Sequence, residues 1–472
     1  MAEVNLADPE VRAELTEVLM ARYADRPVVL GPGILAARTE FVAWVREVGG
    51  TALVLSTADG AGPKPAEGDC VVIEVDPPPT SSVTEEMRAL DHLARHLPEH
   101  AVAAVEAFDP DRRGVWVGGP FVTTDEPILG RPVVSGRPAA FVVLEDKLLA
   151  DDIWDAAGVD RAPYAVVPVE RGALRTATRE LAGPLGAVWS GDTKEGFNGG
   201  GDYVRWVCPD GEWSADEAQA LAYFLPRCDR VRVMPFLDGV PCSIHALVLP
   251  DGTAVFRPVE ISILRDESAR TFQYGGLSTY WDAPAPDREA IRDAARAVGE
   301  HLRAAYGYRG AFGIDGVLTA EGFRPTELNT RASAGFTQVT QLDRKLFALL
   351  QDVLVLGEDP GVRVADVEAV LPQIDADPGG RPVAFVRDVL VGDVTEALTW
   401  DGERFELATP GLETDDVLVM ADTPSGLFAK VQPCSALGPG VRLATINLAL
   451  YDLLRREFGV DLGDLTAAPD LR

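Results

Sequence analysis

The sequence predicts an α/β (α+β) fold in three parts, and three observations carry the prediction. Over residues 1 to about 140, the apolar strands Pro27 to Leu30, Ala52 to Leu55 and Val71 to Val75 alternate with helical patterns. Residues 141 to 345 hold strand pairs closed by glycine-containing loops, with one long amphipathic helix among them. From 346 to 472 a strand-rich stretch around Arg381 to Val419 precedes a helical pattern from Leu443 to Phe458. At 472 residues the length suits about three domains with sizeable buried cores.

Composition narrows the class. With 47% hydrophobic and 25% charged residues the chain has an ordinary globular make-up, neither disordered nor fibrous. The opening MAEVNLADPEVRAEL is acidic and lacks the basic and apolar regions of a signal peptide. No apolar run approaches the ~20 residues that span a bilayer, so a cytoplasmic location is expected. A formal charge of −31 argues against nucleic acid and anionic membranes as partners, since both demand a basic footprint. It leaves small anionic ligands open, because charges beyond roughly 8 Å are screened and a triphosphate responds to the few cations around it.

The five cysteines, Cys70, Cys208, Cys228, Cys242 and Cys434, are unevenly spaced with no CxxC pair, so neither a zinc site nor a disulfide framework is indicated. His92 and His96 fall beside the apolar stripe Met87, Leu90, Leu93 and Leu97 of one helix and read as a solvated face. Only five of the 43 basic residues are lysines: Lys64, Lys147, Lys194, Lys345 and Lys430. A lysine that persists in so arginine-rich a chain suggests a place where a compact ammonium is needed.

Taken in order, the elements are as follows. VVLGPGI, residues 28 to 34, lacks the full Gly-x-Gly-x-x-Gly fingerprint and reads as a plain βα turn. Lys147 opens a helical stretch that ends at Gly158. Ala187 to Ser190 and Tyr203 to Val207 read as strands around KEGFNGGG, residues 194 to 201, whose glycines would let backbone N–H groups approach phosphate oxygens beside Lys194. No Gly-Lys-Ser/Thr ending or following helix makes this a Walker loop, and a merely flexible hairpin tip is the alternative. Ile291, Ala294, Ala295, Val298 and Leu302 form one apolar face of a helix from Asp287 to Tyr306, closed by Gly307.

The densest polar cluster is GIDGVLTAEGFRPTELNTR, residues 313 to 331. Ala311 to Leu318 and Phe323 to Arg331 read as strands joined by a three-residue loop, Ala320-Glu321-Gly322. That register sets Asp315 opposite Glu327, with Asn329 and Arg331 on the same face, whereas a two-residue loop would shift the partner by one. Three oxygen-bearing side chains together could cradle Mg²⁺, and Arg331 could meet a phosphate or carboxylate. A solvated face with a Glu327–Arg331 salt bridge is the alternative.

In this order the pieces resemble an ATP-grasp carboxylate-amine ligase over residues 141 to 345. The resemblance implies a pre-ATP-grasp domain over 1 to 140, an ATP-grasp core with a glycine-loop lid at about 183 to 233, and an extra C-terminal domain. It also implies ATP and Mg²⁺ as cofactors. Asp315, Glu327 and Asn329 match the family's metal ligands, and Arg331 matches the arginine that stabilises the acyl phosphate. Lys147 and Lys194 match the lysines on the nucleotide phosphates, with Gly199, Gly200 and Gly201 in the lid. Met234, Pro235, Phe236 and Leu237 match the adenine hinge, followed by Asp238.

The hinge departs from the family in lacking its glutamate pair, which leaves Glu260 and Asp238 as candidates for the ribose anchor. Lys194 lies several residues past its expected strand. Arg265 and the stretch 272 to 281 lie where substrate contacts are expected. GDTKEGFNGGGDYVRWV and PTELNTR are similar to the pheganomycin-type peptide ligases, which join a carboxylate to the amino end of a peptide in natural-product biosynthesis. That likeness implies a carboxylate substrate bearing a cationic guanidino group, which an acidic pocket would suit, and a peptide amine as acceptor. A homodimer is left open. A ligase joining two free amino acids and a noncatalytic nucleotide-binding protein are the alternatives.

Overall fold

The computed structural model describes residues 5–80, 82–192, 201–409 and 411–472. Near the N-terminus, helix α1 (Pro9–Met20) leads into a sheet of five parallel strands. These are β1 (Pro27–Ile34), β2 (Thr51–Ala58), β3 (Val71–Glu74), β4 (Val115–Val117) and β5 (Val133–Val134), in the order β3-β2-β1-β4-β5. Helices α2 (Thr39–Glu47), α3 (Val83–Arg95) and α4 (Glu99–Phe108) are the crossovers, and the buried runs of β1 and β2 are what a parallel sheet covered on both faces requires. The strand order reverses at β1 and β4, which opens a crevice at their carboxyl ends.

The short helix α5 (Ala139–Val142) and α6 (Ala150–Ala157) follow, and α6 ends at Gly158 in the left-handed region. Lys147 does not open this helix, as its sequence suggests, but lies in the turn before it. A second sheet takes the order β6-β9-β7-β8, from β6 (Ala165–Pro168), β7 (Ala187–Gly191), β8 (Val204–Val207) and β9 (Arg230–Pro235). Helices α7 (Arg171–Leu181) and α8 (Ala215–Phe224) cover it, and α8 starts on a capping box between Ser214 and Glu217. The antiparallel β7–β8 pair agrees with the hairpin expected there, although the sheet begins at β6, earlier than the lid boundary near 183.

The third sheet has 11 strands. Its first half is β14-β13-β10-β11-β12, from β10 (Val240–Leu249), β11 (Gly252–Asp266), β12 (Thr271–Ser278), β13 (Gly310–Thr319) and β14 (Gly322–Asn329). It continues through β15 (Gly380–Arg387), β19 (Gly426–Val431), β18 (Val417–Thr423), β16 (Val394–Trp400) and β17 (Phe405–Leu407), while β20 (Leu465–Ala467) pairs with β11. Helix α9 (Ala285–Tyr306) buries Ile291, Ala295, Val298 and Leu302 against β10 and β13, and Gly307 closes it. On the opposite face α10 (Ala334–Val339), α11 (Arg344–Val355) and α12 (Val364–Asp375) pack in a core shared with β1 and α1 of the first domain. Helix α13 (Leu443–Phe458) covers the second half of the sheet. Among the described residues, no helix is long and apolar enough to cross a membrane.

Gly239 marks the passage from the second sheet to the third. Its φ of +136° is unfavourable for other residues, and an added Cβ would stand 2.2 Å from the Leu318 carbonyl oxygen. Gly239→Ala is expected to cost about 2 kcal/mol of unfolding free energy by strain and backbone clash, measured by urea denaturation.

Candidate active site

The β13–β14 hairpin turns through two residues, Ala320 and Glu321, not the three its sequence suggests. Thr319 thus pairs with Gly322 and Gly316 with Pro325. Taken alone, this register would carry Asp315 past Glu327. A β-bulge restores the pairing, because Thr326 is an extra residue on β14 and beyond it Asp315 stands opposite Glu327 and Gly313 opposite Asn329.

Two hydrogen bonds pin the bulge. The Thr326 hydroxyl donates to the Asp315 carbonyl at 3.1 Å, and the Arg232 guanidinium donates to the Thr326 carbonyl at 2.8 Å. Arg232 is buried and ion-paired with buried Asp151 at 2.8 Å. Burial pushes the arginine down and the aspartate up, so desolvation outweighs the attraction on both sides. The pair fixes geometry more than it adds stability.

The hairpin brings Asp315, Glu327 and Asn329 together as expected. The Asn329 amide N–H donates to Asp315 Oδ2 at 3.0 Å, and Lys147 Nζ is 2.6 Å from Glu327 Oε2. Arg331 pairs with Glu145, which also binds Arg137, so the expected alternative of a Glu327–Arg331 bridge is not what forms. The Arg331 guanidinium stands 5.3 Å from the Phe121 ring, at the carboxyl end of β4. Burial first, then the neighbouring Glu327 charge, raises the Asp315 carboxyl above the usual range.

At the hinge Met234 and Phe236 are buried, and the Phe236 N–H donates to the Gly186 carbonyl at 3.0 Å. Pro235 ends β9 opposite Ala187, and Leu237 and Asp238 follow it towards Gly239. Phe236 packs on Trp206 and Phe272, with ring centroids 4.7 and 6.0 Å away. Arg265, expected among substrate contacts, instead reaches this hinge: it pairs with Asp238 at 2.6 Å and lies 4.8 Å over the Phe236 ring.

Of the two ribose candidates, Asp238 thus stands at the hinge and Glu260 points elsewhere. Glu260 is fully buried, accepting from Arg442 at 2.7 Å and from the Leu443 N–H at 2.7 Å, where it caps α13. Alternation explains this, since Glu260 and Asp315 project from opposite faces of the sheet.

Lys194, Gly199 and Gly200 lie outside the described residues, and Gly201 takes a left-handed φ of +74°. Next to it, Asp202 Oδ2 accepts the Thr84 N–H at 2.8 Å in the first turn of α3. Glu145, Arg137 and Arg232 escaped the sequence reading. Glu145 lies two residues from Lys147, but nothing local shows that it turns inward to hold arginines from distant segments.

No family model and no curated protein matches this chain. Among solved structures, it is similar to the biotin carboxylase domain of Hydrogenobacter thermophilus 2-oxoglutarate carboxylase, a dimer in complex with MgADP, ADP and bicarbonate. The TM-score is 0.51 at 13% identity, over 94% of this chain and 91% of that one. It also matches N5-carboxyaminoimidazole synthase from Aspergillus clavatus, in complex with ADP and 5-aminoimidazole ribonucleotide, with TM-score 0.48, 11% identity and coverage of 92% and 100%. At these identities the first likeness speaks for the fold alone. That fold is α/β, with an N-terminal parallel sheet, a small second sheet and a large antiparallel sheet.

Two substitutions separate the roles of these carboxylates. Glu260→Ala strands Arg442 and helix N–H groups, and is expected to lower unfolding stability by about 3 kcal/mol in denaturant titrations. Asp315→Asn is expected to raise the melting temperature of the metal-free protein at neutral pH. Because the folded-state pKa is raised, the cost of the wild-type carboxylate grows as pH rises from the ordinary aspartate value and is complete above the raised pKa, so the gain should fade as pH falls from the raised pKa to the ordinary value.

Proposed function

We propose that this protein is an ATP-dependent ligase that activates a carboxylate as an acyl phosphate and joins it to an amine, releasing ADP and phosphate. The observation that carries the proposal is the convergence of Asp315, Glu327 and Asn329 on one sheet face beside Lys147, with Arg331 held next to them by Glu145.

The donor set fits Mg²⁺. Two carboxylates face each other across the strands, and Asn329 gives its N–H to Asp315, which leaves its amide oxygen for a hard cation. Asp315, Glu327 and Asn329 would hold the metal, whose charge would offset that developing on the nucleotide phosphates. Lys147 supplies a phosphate-directed ammonium already held at Glu327. The Glu145 clamp holds the Arg331 guanidinium in place for the reacting oxygens, since a preoriented donor costs no reorganisation during reaction. The hinge from Met234 to Leu237 offers backbone groups to adenine, and Asp238, oriented by Arg265, is positioned for ribose. The Asp202 contact with α3 ties the end of the glycine loop to the N-terminal domain, a closure that would keep water from the labile acyl phosphate.

The amine is the amino end of a peptide in this reading, in peptide natural-product biosynthesis. ADP release with a panel of carboxylates and a mixed peptide pool, followed by product mass, tests both halves. Asn329→Ala should reduce ADP formation at least about a hundred-fold, equivalent to about 2.7 kcal/mol of transition-state stabilisation. Unaltered ADP formation would reject the ligase reading.

A further inference from the structure

Three of the five lysines pair with carboxylates: Lys64 with Asp59, Lys147 with Glu327 and Lys345 with Glu47. Lys194 lies outside the described residues. Lys430 has no hydrogen bond or ion pair among the described residues, and the charged group that acts on it is another cation, Arg381. Among the described residues, Arg381 finds only the Gln432 amide oxygen, at 3.4 Å, and Arg38 only the Gly31 carbonyl, at 3.3 Å, with no partner for its buried Nε. Acidic residues outnumber basic ones 74 to 43, so cations without carboxylate partners run against the chain's composition.

Strand register directs two of these cations to the side of the sheet that holds Asp315. Asp315 stands opposite Ser243, Ser243 opposite Val259, Ile261 opposite Leu277, Leu277 opposite Arg381, and Val383 opposite Lys430. Paired residues share a face, as do residues two apart in a strand. Asp315, Arg381 and Lys430 therefore project from the same side. Tyr274, on β12, lies within electrostatic reach of both Asp315 and Arg381 and is still 39% exposed, as a residue lining an open cleft would be.

The N-terminal domain closes the other side. A Cβ on Gly62, beyond the end of β2, would lie 3.5 Å from Lys430 Nζ. Arg38 stands at the β1–β4 crevice, where Cβ atoms on Gly33 and Gly119 would lie 2.9 and 3.8 Å from its guanidinium nitrogens. Two residues past Gly119, Phe121 meets Arg331. Lys430 thus faces the Gly62 segment of the N-terminal domain, and Arg38 stands by Gly119, two residues before the Phe121 that meets Arg331. Burial lowers the pKa of Lys430, Arg381 and Arg38, and among the described residues no carboxylate acts on any of them to offset it.

We propose that this end of the cleft is an anion subsite, in which Lys430 and Arg381 receive a carboxylate or phosphate on the non-reacting end of a substrate. The inference rests on the ligase reading for its substrate and deepens it. It replaces the guanidino-bearing substrate implied by the sequence likeness, since a cationic group here would meet Lys430 and Arg381.

Isothermal titration of the full chain with succinate, inorganic phosphate and arginine amide, each with and without saturating MgADP, tests the subsite. Succinate or phosphate should bind, and Lys430→Gln and Arg381→Gln should each weaken that binding at least about ten-fold, or about 1.4 kcal/mol, with melting temperature and MgADP affinity kept. Succinate preferred identifies a carboxylate as the recognised group, and phosphate preferred a phosphate. Failure of both anions to bind, anion binding that survives both substitutions, or tighter binding of arginine amide would overturn the proposal. Loss of MgADP binding in the wild type would instead overturn the ligase reading, and the nucleotide-free titrations would still decide the subsite.

Discussion

The bulge at Thr326 is the constraint on which the rest depends. A hairpin with a two-residue turn sets one register, the polar cluster needs another, and a single extra residue on β14 reconciles them. Without it, the side chains of the second strand would fall one place out of step with Asp315. The buried Arg232–Asp151 pair supplies the hydrogen bond that holds the bulged carbonyl. Burying those two charges is costly, and a structural motive for bearing the cost is visible: Arg232 ties the second sheet to the hairpin that carries the cluster.

Electrostatics in this chain are local. The net charge of −31 says little about the cleft, because each cation there is governed by what lies within a few ångströms. Glu145 collects Arg137 and Arg331, and Glu327 holds Lys147. Asp315, flanked by Glu327 and partly enclosed, is left with an unfavourable negative charge that a divalent cation would relieve. Elsewhere on the same face of the sheet the balance reverses, with Lys430 and Arg381 lacking a carboxylate partner among the described residues.

The domains are joined by packing as well as by polar contacts. One hydrophobic core runs from β1 and α1 into α11, α12 and the large sheet, so the crevice of the N-terminal domain is fixed against the hairpin. Tyr23 donates to the buried Asp352 at 3.1 Å across this junction. The second sheet is attached through the Gly239 passage, Arg232 on the hairpin, Phe236 against Phe272, the Trp206 N–H bond to the Arg270 carbonyl, and Asp202 at the start of α3. Such an arrangement suits a covering element.

Much of this was legible in the sequence, and the part that was not has a common cause. Periodicity placed three of the five strands of the first domain, missing the short β4 and β5, and also the apolar face of α9 with its Gly307 stop and α13 over Leu443 to Phe458, because side-chain spacing along a helix or strand is a local property. The same alternation, applied to residues 313 to 331, placed Asp315 opposite Glu327, although the turn length and the bulge that produce this pairing were not foreseen. Lys147 was expected on a helix and lies before it, Arg265 was expected at the substrate and lies at the hinge, and Glu260 was a ribose candidate and caps a helix. The last two depend on partners outside their own element: Arg265 and Asp238 are 27 residues apart, and Glu260 and Arg442 are 182 apart. Sequence alone determined which chemistry-bearing residues exist and which face of its own element each would take. Tertiary structure alone decided which of them meet, because strand order, bulges and domain packing bring together groups whose separation in the chain carries no distance information.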